Sequence, residues 1–178
     1  MTDQPTDTLP PQEEGASAQE TLTIREFQAD DIDGLFFLEQ RCYGGELAMK
    51  YPQLRALLKD PAVATLVVVG EAEGQPRMAA ALLVKPEAEQ GRLMVVSLNV
   101  DPDYRRVGLG RELIGRAQRV AAAQKLPALA MPVEAENVDG AAFLKAMGFT
   151  PAEQGAPFFV APEDGHVWCL NVPPTENP

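Results

Sequence analysis

A short run of arginines and glycines, RRVGLG, is the part of this chain best suited to chemistry. It covers residues 105–110, between an apolar segment that ends at Val100 and a helical pattern that begins at Leu109. Gly108 and Gly110 carry no Cβ, so the backbone can turn sharply there and approach a ligand closely. The first amides of a helix lack intrahelical partners, and the helix dipole favours negative charge beside them. The run therefore predicts a site for a phosphate or pyrophosphate.

Three arginines, Arg105, Arg106 and Arg111, raise the positive charge around this turn. The glycine spacing excludes two common phosphate sites. A Walker loop ends in Gly-Lys-Ser/Thr, which is absent here. A dinucleotide-binding fingerprint needs a third glycine sooner than Gly115, the next one along the chain. The pattern that remains is R-x-x-G-x-G, and taken alone it also fits an ordinary helix start with a basic rim.

Strands and helices follow one another in an order that would position this turn. Apolar alternation and turn residues predict strands over residues 22–27, 64–69, 78–85, 93–100, 128–133, 158–160 and 166–172. Asp30-Asp31 can cap a helix that contains Ile32, Leu35, Phe36 and Leu38 and that Tyr43-Gly44-Gly45 breaks. Apolar residues at helical spacing predict further helices over residues 52–59, 109–124 and 139–147. Meander strands joined to crossover helices predict an α+β fold with a mixed sheet.

Composition favours one globular domain. The 178 residues, of which 46% are hydrophobic, can bury a full core. We expect a disordered tail over residues 1–20, one domain over residues 21–172 and a short C-terminal tail over residues 173–178. No metal site is expected, because His166 is the single histidine.

Charge and hydropathy limit the classes of partner that we expect this chain to bind. The formal net charge of −11 argues against nucleic acid, whose phosphates are bound mainly by Lys and Arg, and it suits a cationic amine. No apolar run approaches the roughly 20 residues of a membrane span. Residues 1–20 lack the basic and apolar regions of a secretory signal. We therefore expect a cytoplasmic protein that binds neither nucleic acid nor membrane.

Three segments together resemble one known family. The run from Leu98 to Gly110 reads L-x-V-x-P-x-x-R-x-x-G-x-G and resembles, position by position, the acetyl-CoA motif of the GNAT superfamily of N-acetyltransferases. Residues 22–39 resemble the family's opening strand and helix. Residues 137–149 resemble its second cofactor segment, in which an Asn precedes a short helix that ends in Gly-Phe. The resemblance covers residues 21–172 and implies the GNAT fold, a mixed and mostly antiparallel central sheet flanked by helices.

The resemblance also implies a set of cofactor-binding residues. The backbone around Leu98, Asn99 and Val100 would pair with the pantetheine amides of acetyl-CoA, and the Val100 amide would polarise the thioester carbonyl. Asn137 would contact the cofactor where the fourth and fifth strands separate. The full set is Leu98, Asn99, Val100, Arg105, Arg106, Val107, Gly108, Leu109, Gly110, Arg111 and Asn137.

The catalytic side chains are less well defined, because the sequence departs from the family at two points. Many relatives carry a Tyr seven residues after the motif Asn, where this chain has Leu144, and several carry a Glu on the fourth strand, where this chain has none. The candidates for the catalytic groups are Glu134, Tyr43 and Asn99, followed by Ser97, Glu136, Glu46, Tyr51 and His166. Among them, Ser97 and Asn99 are candidates for orienting a water. Each also has a structural interpretation, as an exposed charge, a helix-end packing group or a turn residue.

Two functions therefore remain open. The first is transfer of an acetyl group from acetyl-CoA to a primary amine of a small molecule or a protein, by a monomer or homodimer. The second is a non-catalytic module of the same fold that binds acyl-CoA as a sensor or interaction domain. The two family departures favour the second, whereas the intact R-x-x-G-x-G turn predicts acetyl-CoA binding in both.

Overall fold

A single seven-stranded sheet organises the computed structural model, which describes residues 21–44, 48–72, 75–152 and 165–174. The strands are β1 (Thr23–Glu26), β2 (Ala64–Ala72), β3 (Gln75–Glu87), β4 (Arg92–Val100), β5 (Ala128–Glu134), β6 (Thr150–Pro151) and β7 (Gly165–Asn171). Their spatial order is β1-β2-β3-β4-β5-β7-β6. The β4–β5 pair is parallel and the other neighbouring pairs are antiparallel. The predicted mixed, mostly antiparallel sheet is thus confirmed.

Four α-helices cover the sheet on its two faces. They are α1 (Ile32–Tyr43), α2 (Tyr51–Leu58), α3 (Leu109–Ala123) and α4 (Val138–Ala146). One apolar cluster joins α1 and α2 to the sheet through Leu35, Leu54 and Leu83. The other joins α3 and α4 to it through residues that include Ile114 and Leu144. The sheet is therefore buried on both faces by helices.

The predicted elements agree with the structure except at some boundaries. β3 is longer than the predicted residues 78–85, and β6, two residues long, has no sequence signal. The predicted strand at residues 158–160 and the predicted tail at residues 1–20 lie outside the described residues. Across the parts of the chain that the structure describes, every helix is too short or too polar to cross a bilayer.

A separation between β4 and β5 is the feature of the fold that creates a site. The two strands pair over only three residues each, from Arg92↔Ala128 to Met94↔Ala130. Directly after this, β4 has a bulge: Ser97 pairs with Leu83 and Val95 with Val84, so Val96 is an extra residue. A bulge bends its strand and ends regular pairing. The rest of β4 consequently diverges from β5 and leaves an open cleft.

Candidate active site

The cleft between the diverging strands is a cavity of about 780 Å³. Its walls come from α1 and α2 on one side and α4 on the other, with β4 and β5 between them. Most of its lining is apolar. Among the described residues that line it, three side chains ionise: Glu39, Tyr43 and Glu134. Any proton transfer within the cavity must therefore use one of these three groups or water.

The exposed edge of β4 presents backbone amides to this cleft. The Asp101 amide donates to the Ala79 carbonyl at 2.9 Å, and hydrogen-bonded pairs alternate along an antiparallel ladder. Val100 and Leu98 therefore direct their N–H and C=O groups away from β3, toward the space that β5 has left. Asn99 instead faces Ala81 within the sheet. The strand edge predicted to receive the pantetheine amides is thus open at Leu98 and at the Val100 amide, whereas the Val100 carbonyl accepts hydrogen bonds from Arg105 and Cys42.

Pro132, which is unusual inside a strand, fits this arrangement. The Val172 amide donates to the Pro127 carbonyl at 2.8 Å, and the ladder pairs Pro132 with Val167 of β7. By the same alternation, the nitrogen of Pro132 points away from β7, toward β4. β4 offers no partner this far along the strand, since its pairing with β5 ends at Ala130. The proline therefore costs no sheet hydrogen bond.

The turn at residues 105–110 begins where β4 ends and leads into α3. Arg106 (φ 69°) and Gly108 (φ 94°) both have left-handed backbone conformations. Gly108 is the N-cap of α3, and no side chain caps the helix there. Amides around left-handed residues at a helix start form a concave donor surface that suits an anion. Holding a non-glycine residue such as Arg106 in this conformation costs roughly 1–3 kcal/mol, which the surrounding structure must offset.

Gly110 lies where two helices pack closely. A Cβ at Gly110 would lie 3.1 Å from Cζ and 3.3 Å from Cε2 of Phe143, which is tighter than ordinary packing. The missing side chain lets α4 approach the first turn of α3, and this packing role stands beside the predicted close approach to a ligand.

Asn137 holds the start of α4. Its Oδ1 accepts a hydrogen bond from the Gly140 amide at 2.8 Å, and it also lines the cavity. A Cβ at Gly140 would lie 2.7 Å from Nδ2 of Asn137. The small residue at position 140 thus allows the cap to form. Asn137 therefore lies at the cleft, as predicted, and also has a structural role as the cap of α4.

A charged cluster fixes the other end of the turn. Asp101, which is 1% exposed, accepts hydrogen bonds from Arg41 and Arg77 and from the Asp103 amide. Arg77 also donates to Asp103 and lies over the Tyr104 ring, 5.2 Å from its centroid. Burial by itself would raise the pKa of the Asp101 carboxyl, but these donors outweigh it and hold the pKa below its ordinary value of 3.8. The short 3-10 turn Pro102–Tyr104 is held rigidly as a result.

Arg105 is placed by the same strand end. Its Nε donates to the Val100 carbonyl at 3.2 Å, and the Cys42 thiol of α1 donates to the same oxygen at 3.4 Å. Burial, the largest cause, raises the pKa of the Cys42 thiol, and Arg105 opposes that rise. Cys42 is therefore a packed neutral thiol that joins α1 to β4.

Glu39 is the functional candidate that the sequence analysis missed. The side chain is 5% exposed and lies at the cavity wall. Its Oε2 accepts from Asn99 Nδ2 at 2.6 Å, and its Oε1 accepts from the Met49 amide at 3.1 Å. Asn99 is itself 1% exposed, and its Oδ1 has no hydrogen-bond partner among the described residues. The available signal was an acidic residue beside Leu38 and one turn after Leu35, on the buried face of α1.

Tyr43 lies one helical turn beyond Glu39 and also lines the cavity. Burial is the main cause that raises the pKa of its phenol to about 12, and the nearby carboxylates of Glu39 and Glu134 add to it. Although 37% of the residue surface is accessible, every one of these causes except Arg105 acts in the same direction. The Tyr43 hydroxyl is therefore a protonated donor at neutral pH.

The other predicted catalytic residues differ in whether they line the cavity. Glu134 and Ser97 line the cavity, whereas Tyr51 donates its hydroxyl hydrogen to Asp33 at an exposed position and Glu136 is exposed outside the lining. Leu144, at the family's Tyr position, is fully buried and lines the cavity. The side chains of Glu46 and His166 lie outside the described residues.

A family model described as Acetyltransferase (GNAT) family matches residues 30–149. The chain belongs to the GNAT acetyltransferase family. The match begins at α1 and ends just after α4, so it includes the open edge of β4, the turn and the cavity. No curated protein gives a significant match.

Solved GNAT structures share the fold at low sequence identity. The ribosomal-protein-S18-alanine N-acetyltransferase from Escherichia coli is 19% identical, with 85% of this chain and 94% of that chain covered and a TM-score of 0.66. A GNAT-family acetyltransferase from Staphylococcus aureus Mu50 is 12% identical, with 86% and 100% covered and a TM-score of 0.71. The PaiA N-acetyltransferase from Thermoplasma acidophilum, solved with coenzyme A, is 14% identical, with 85% and 99% covered and a TM-score of 0.66.

Proposed function

We propose that this GNAT domain transfers the acetyl group of acetyl-CoA to a primary amine of a small molecule or a protein, in the cytoplasm. One observation carries the proposal: the edge of β4, unpaired at Leu98 and at the Val100 amide, leads through the turn into the N-terminus of α3 at Gly108, which no side chain caps. A strand edge hydrogen-bonds to amides, and a helix N-terminus binds an anion. Acetyl-CoA carries both groups, two pantetheine amides and a pyrophosphate, in one extended molecule.

The proposed binding residues follow from this geometry. Leu98 and Val100 would pair with the pantetheine, and the amides of residues 106–111 would hold the pyrophosphate, with Arg105 and Arg106 beside it. The thioester would then lie in the cavity near Asn99, where the Val100 amide can donate to its carbonyl oxygen. The acidic lining, with Glu39 and Glu134, favours an acceptor that arrives as an ammonium ion.

A second function keeps the same binding site without turnover. Leu144 stands where many relatives have a proton-donating Tyr, which favours an acyl-CoA-binding module that regulates or recruits a partner. The two functions differ in one measurable quantity, the release of free thiol in the presence of an amine.

The test has two steps on the purified full chain. Calorimetric titration with acetyl-CoA is expected to give saturable micromolar binding. Thiol release is then followed with spermidine, tyramine and a short peptide that has a free N-terminus. Release that depends on one of these amines supports the transferase, whereas binding without release with any of them supports the non-catalytic module. Absence of binding at millimolar acetyl-CoA contradicts both.

A further inference from the structure

The last turns of α1 project two ionisable side chains into one cavity. Glu39 and Tyr43 are four residues apart, which places them on the same face of a helix, and both line the cavity between β4 and β5. Two partners fix Glu39 on both of its oxygens, Asn99 from β4 and the Met49 amide. A pair built in this way is positioned before any ligand arrives.

The chemistry of amine acylation requires two proton transfers. An ammonium ion must lose a proton before its nitrogen can attack, and the departing thiolate is stabilised by gaining one. Among the described residues of the cavity, Glu39, Tyr43 and Glu134 are the side chains able to exchange protons. Glu134 is exposed at the end of β5, whereas the carboxylate of Glu39 is buried and held by two donors. The buried group is the better placed base.

We propose that Glu39 is the general base and Tyr43 the general acid of this site, so that α1 supplies both proton-transfer groups. This assignment rests on the proposed acetyltransferase function. Asn99 is then a positioning residue, because it holds Glu39 without reaching the reacting atoms. Leu144, in the family's Tyr position, needs no catalytic role.

The transfer of protons and electrons balances through these two residues. Glu39 takes one proton from the ammonium ion, and the freed nitrogen pair forms a bond to the carbonyl carbon of the thioester. The carbon–sulfur bond breaks and its electron pair goes to sulfur, to which Tyr43 gives its hydroxyl proton. The tyrosinate then takes the second proton from the acylated nitrogen. Glu39 releases its proton to solvent, and the products are an amide, a thiol and one proton.

The neighbouring charges define what a pH profile will report. The titratable and charged groups around the pair are Cys42 on α1, Glu134 on β5, and Asp101 and Arg105 after β4. Glu134 is the neighbour that also lines the cavity. A Glu134→Gln variant therefore serves to separate its contribution from that of Glu39.

The experiment compares Glu39→Gln, Tyr43→Phe and the control Asp33→Asn, which removes an exposed carboxylate from the same helix. Gln preserves the shape of Glu39 and one acceptor oxygen for the Met49 amide, and its NH2 group can donate to Asn99 Oδ1 once the Asn99 amide turns over. The fold and the affinity for acetyl-CoA, measured by calorimetry, should therefore be retained. Thiol release is measured against pH with the amine that the unaltered protein uses best among spermidine, tyramine and a short peptide. We expect kcat to fall by roughly 100-fold in each of the two site variants and to stay unchanged in Asp33→Asn.

A split between kcat and KM separates catalysis from structure. Glu39→Gln and Tyr43→Phe should each lower kcat at every pH while the KM for acetyl-CoA stays unchanged, and Glu39→Asp, which keeps a carboxylate, should retain part of kcat. Wild-type kcat in Glu39→Gln or Tyr43→Phe, or the loss of kcat in Glu134→Gln instead, would overturn the assignment while leaving the acetyltransferase intact. No thiol release from the unaltered protein with any of the amines overturns both.

Discussion

Arg41 makes a bidentate ion pair with Asp101: its Nε lies 2.8 Å from Oδ2, and its Nη2 lies 3.0 Å from Oδ1. The same turn of α1 contacts the two preceding residues of β4, through Glu39 to Asn99 and Cys42 to the Val100 carbonyl. Three consecutive residues at the end of β4 are thus fixed by one helix. The helix that lines the cavity is therefore hydrogen-bonded to the strand end that leads into the turn at residues 105–110.

Replacing Asp101 should weaken both the fold and the turn. Asp101→Asn leaves Arg41 and Arg77 facing each other without the buried carboxylate. We expect a loss of roughly 1.5–3 kcal/mol of stability, the size of hydrogen bonds to a charged group, and a reduced affinity for acetyl-CoA. Urea unfolding and calorimetry measure the two effects. The control is Asp60→Asn, which removes an exposed ion pair with Lys85 far from the turn and should change both quantities little. Equal effects of the two substitutions would contradict the role of the cluster.

The contribution of Asp101 should also depend on pH in a defined direction. Its pKa is held below the ordinary 3.8 in the folded chain, so the unfolded chain binds the proton more readily. The stabilisation is therefore complete above pH 3.8 and disappears as the pH falls through the folded-state value. Unfolding free energies of the unaltered protein and Asp101→Asn, compared from neutral to strongly acid pH, should converge at the acid end. A gap that stays constant down to the lowest pH would show that the charge is irrelevant.

Gly108 should be essential for binding acetyl-CoA. Its φ of 94° is unfavourable for a β-branched residue, although a Cβ there would meet no atom within 4 Å. Gly108→Val should therefore distort the turn, at a cost of roughly 1–3 kcal/mol, and abolish acetyl-CoA binding in calorimetry while the chain stays folded. Gly115→Ala in the same helix is the matched control, because its Cβ meets only ordinary contact and should raise the melting temperature without affecting binding. Unchanged affinity in Gly108→Val would exclude the turn as the pyrophosphate site.

Gly110 and Phe143 should show coupled energetics. Gly110→Ala places a methyl group 3.1 Å from the Phe143 ring, and we expect it to destabilise the chain by roughly 1–3 kcal/mol through overpacking. Phe143→Leu removes the clash, so the double variant should be more stable than the sum of the single effects predicts. Thermal unfolding of the four proteins gives the coupling energy. Strict additivity would mean that Gly110 is required for another reason.

Leu144→Tyr tests whether the family's Tyr position can replace Tyr43. Leu144 is completely buried beside the cavity, so the larger ring should cost roughly 1–3 kcal/mol of stability. In a Tyr43→Phe background, Leu144→Tyr should restore part of the thiol release, because it returns a hydroxyl to the cavity wall. Leu144→Phe, which adds the ring without the hydroxyl, should restore nothing. Equal recovery with Phe would attribute the effect to packing.

Local sequence signals predicted most of the fold but only part of the site. The apolar alternation of the strands and the helical spacing of apolar residues in α3 are short-range patterns, and the elements they predict are present. The resemblance to GNAT enzymes implied the mixed, mostly antiparallel sheet flanked by helices, but the spatial order of its strands comes from the structure. β6 is too short to leave a pattern in the sequence. The bulge at Val96 also left no signal, because no glycine or proline lies near it in β4.

The missed features all depend on contacts between distant residues. Glu39 and Asn99 meet although 60 positions separate them. Gly110 is explained by Phe143 from another helix, and Asp101 by Arg41 and Arg77 from two other elements. Periodicity assigns a face to each residue, but it does not tell which faces meet. The sequence signal available for Glu39 was an acidic residue on the apolar face of a predicted helix, and it was not used.

The most direct test of this account is detection of the acetylated amine itself. The full chain is incubated with acetyl-CoA and each amine of the panel, and the products are separated and weighed by mass spectrometry. The account predicts an N-acetylated amine that accumulates in step with free CoA and disappears in Gly108→Val. Tight binding of acetyl-CoA with no acetylated amine, or CoA release that yields only acetate, would contradict it.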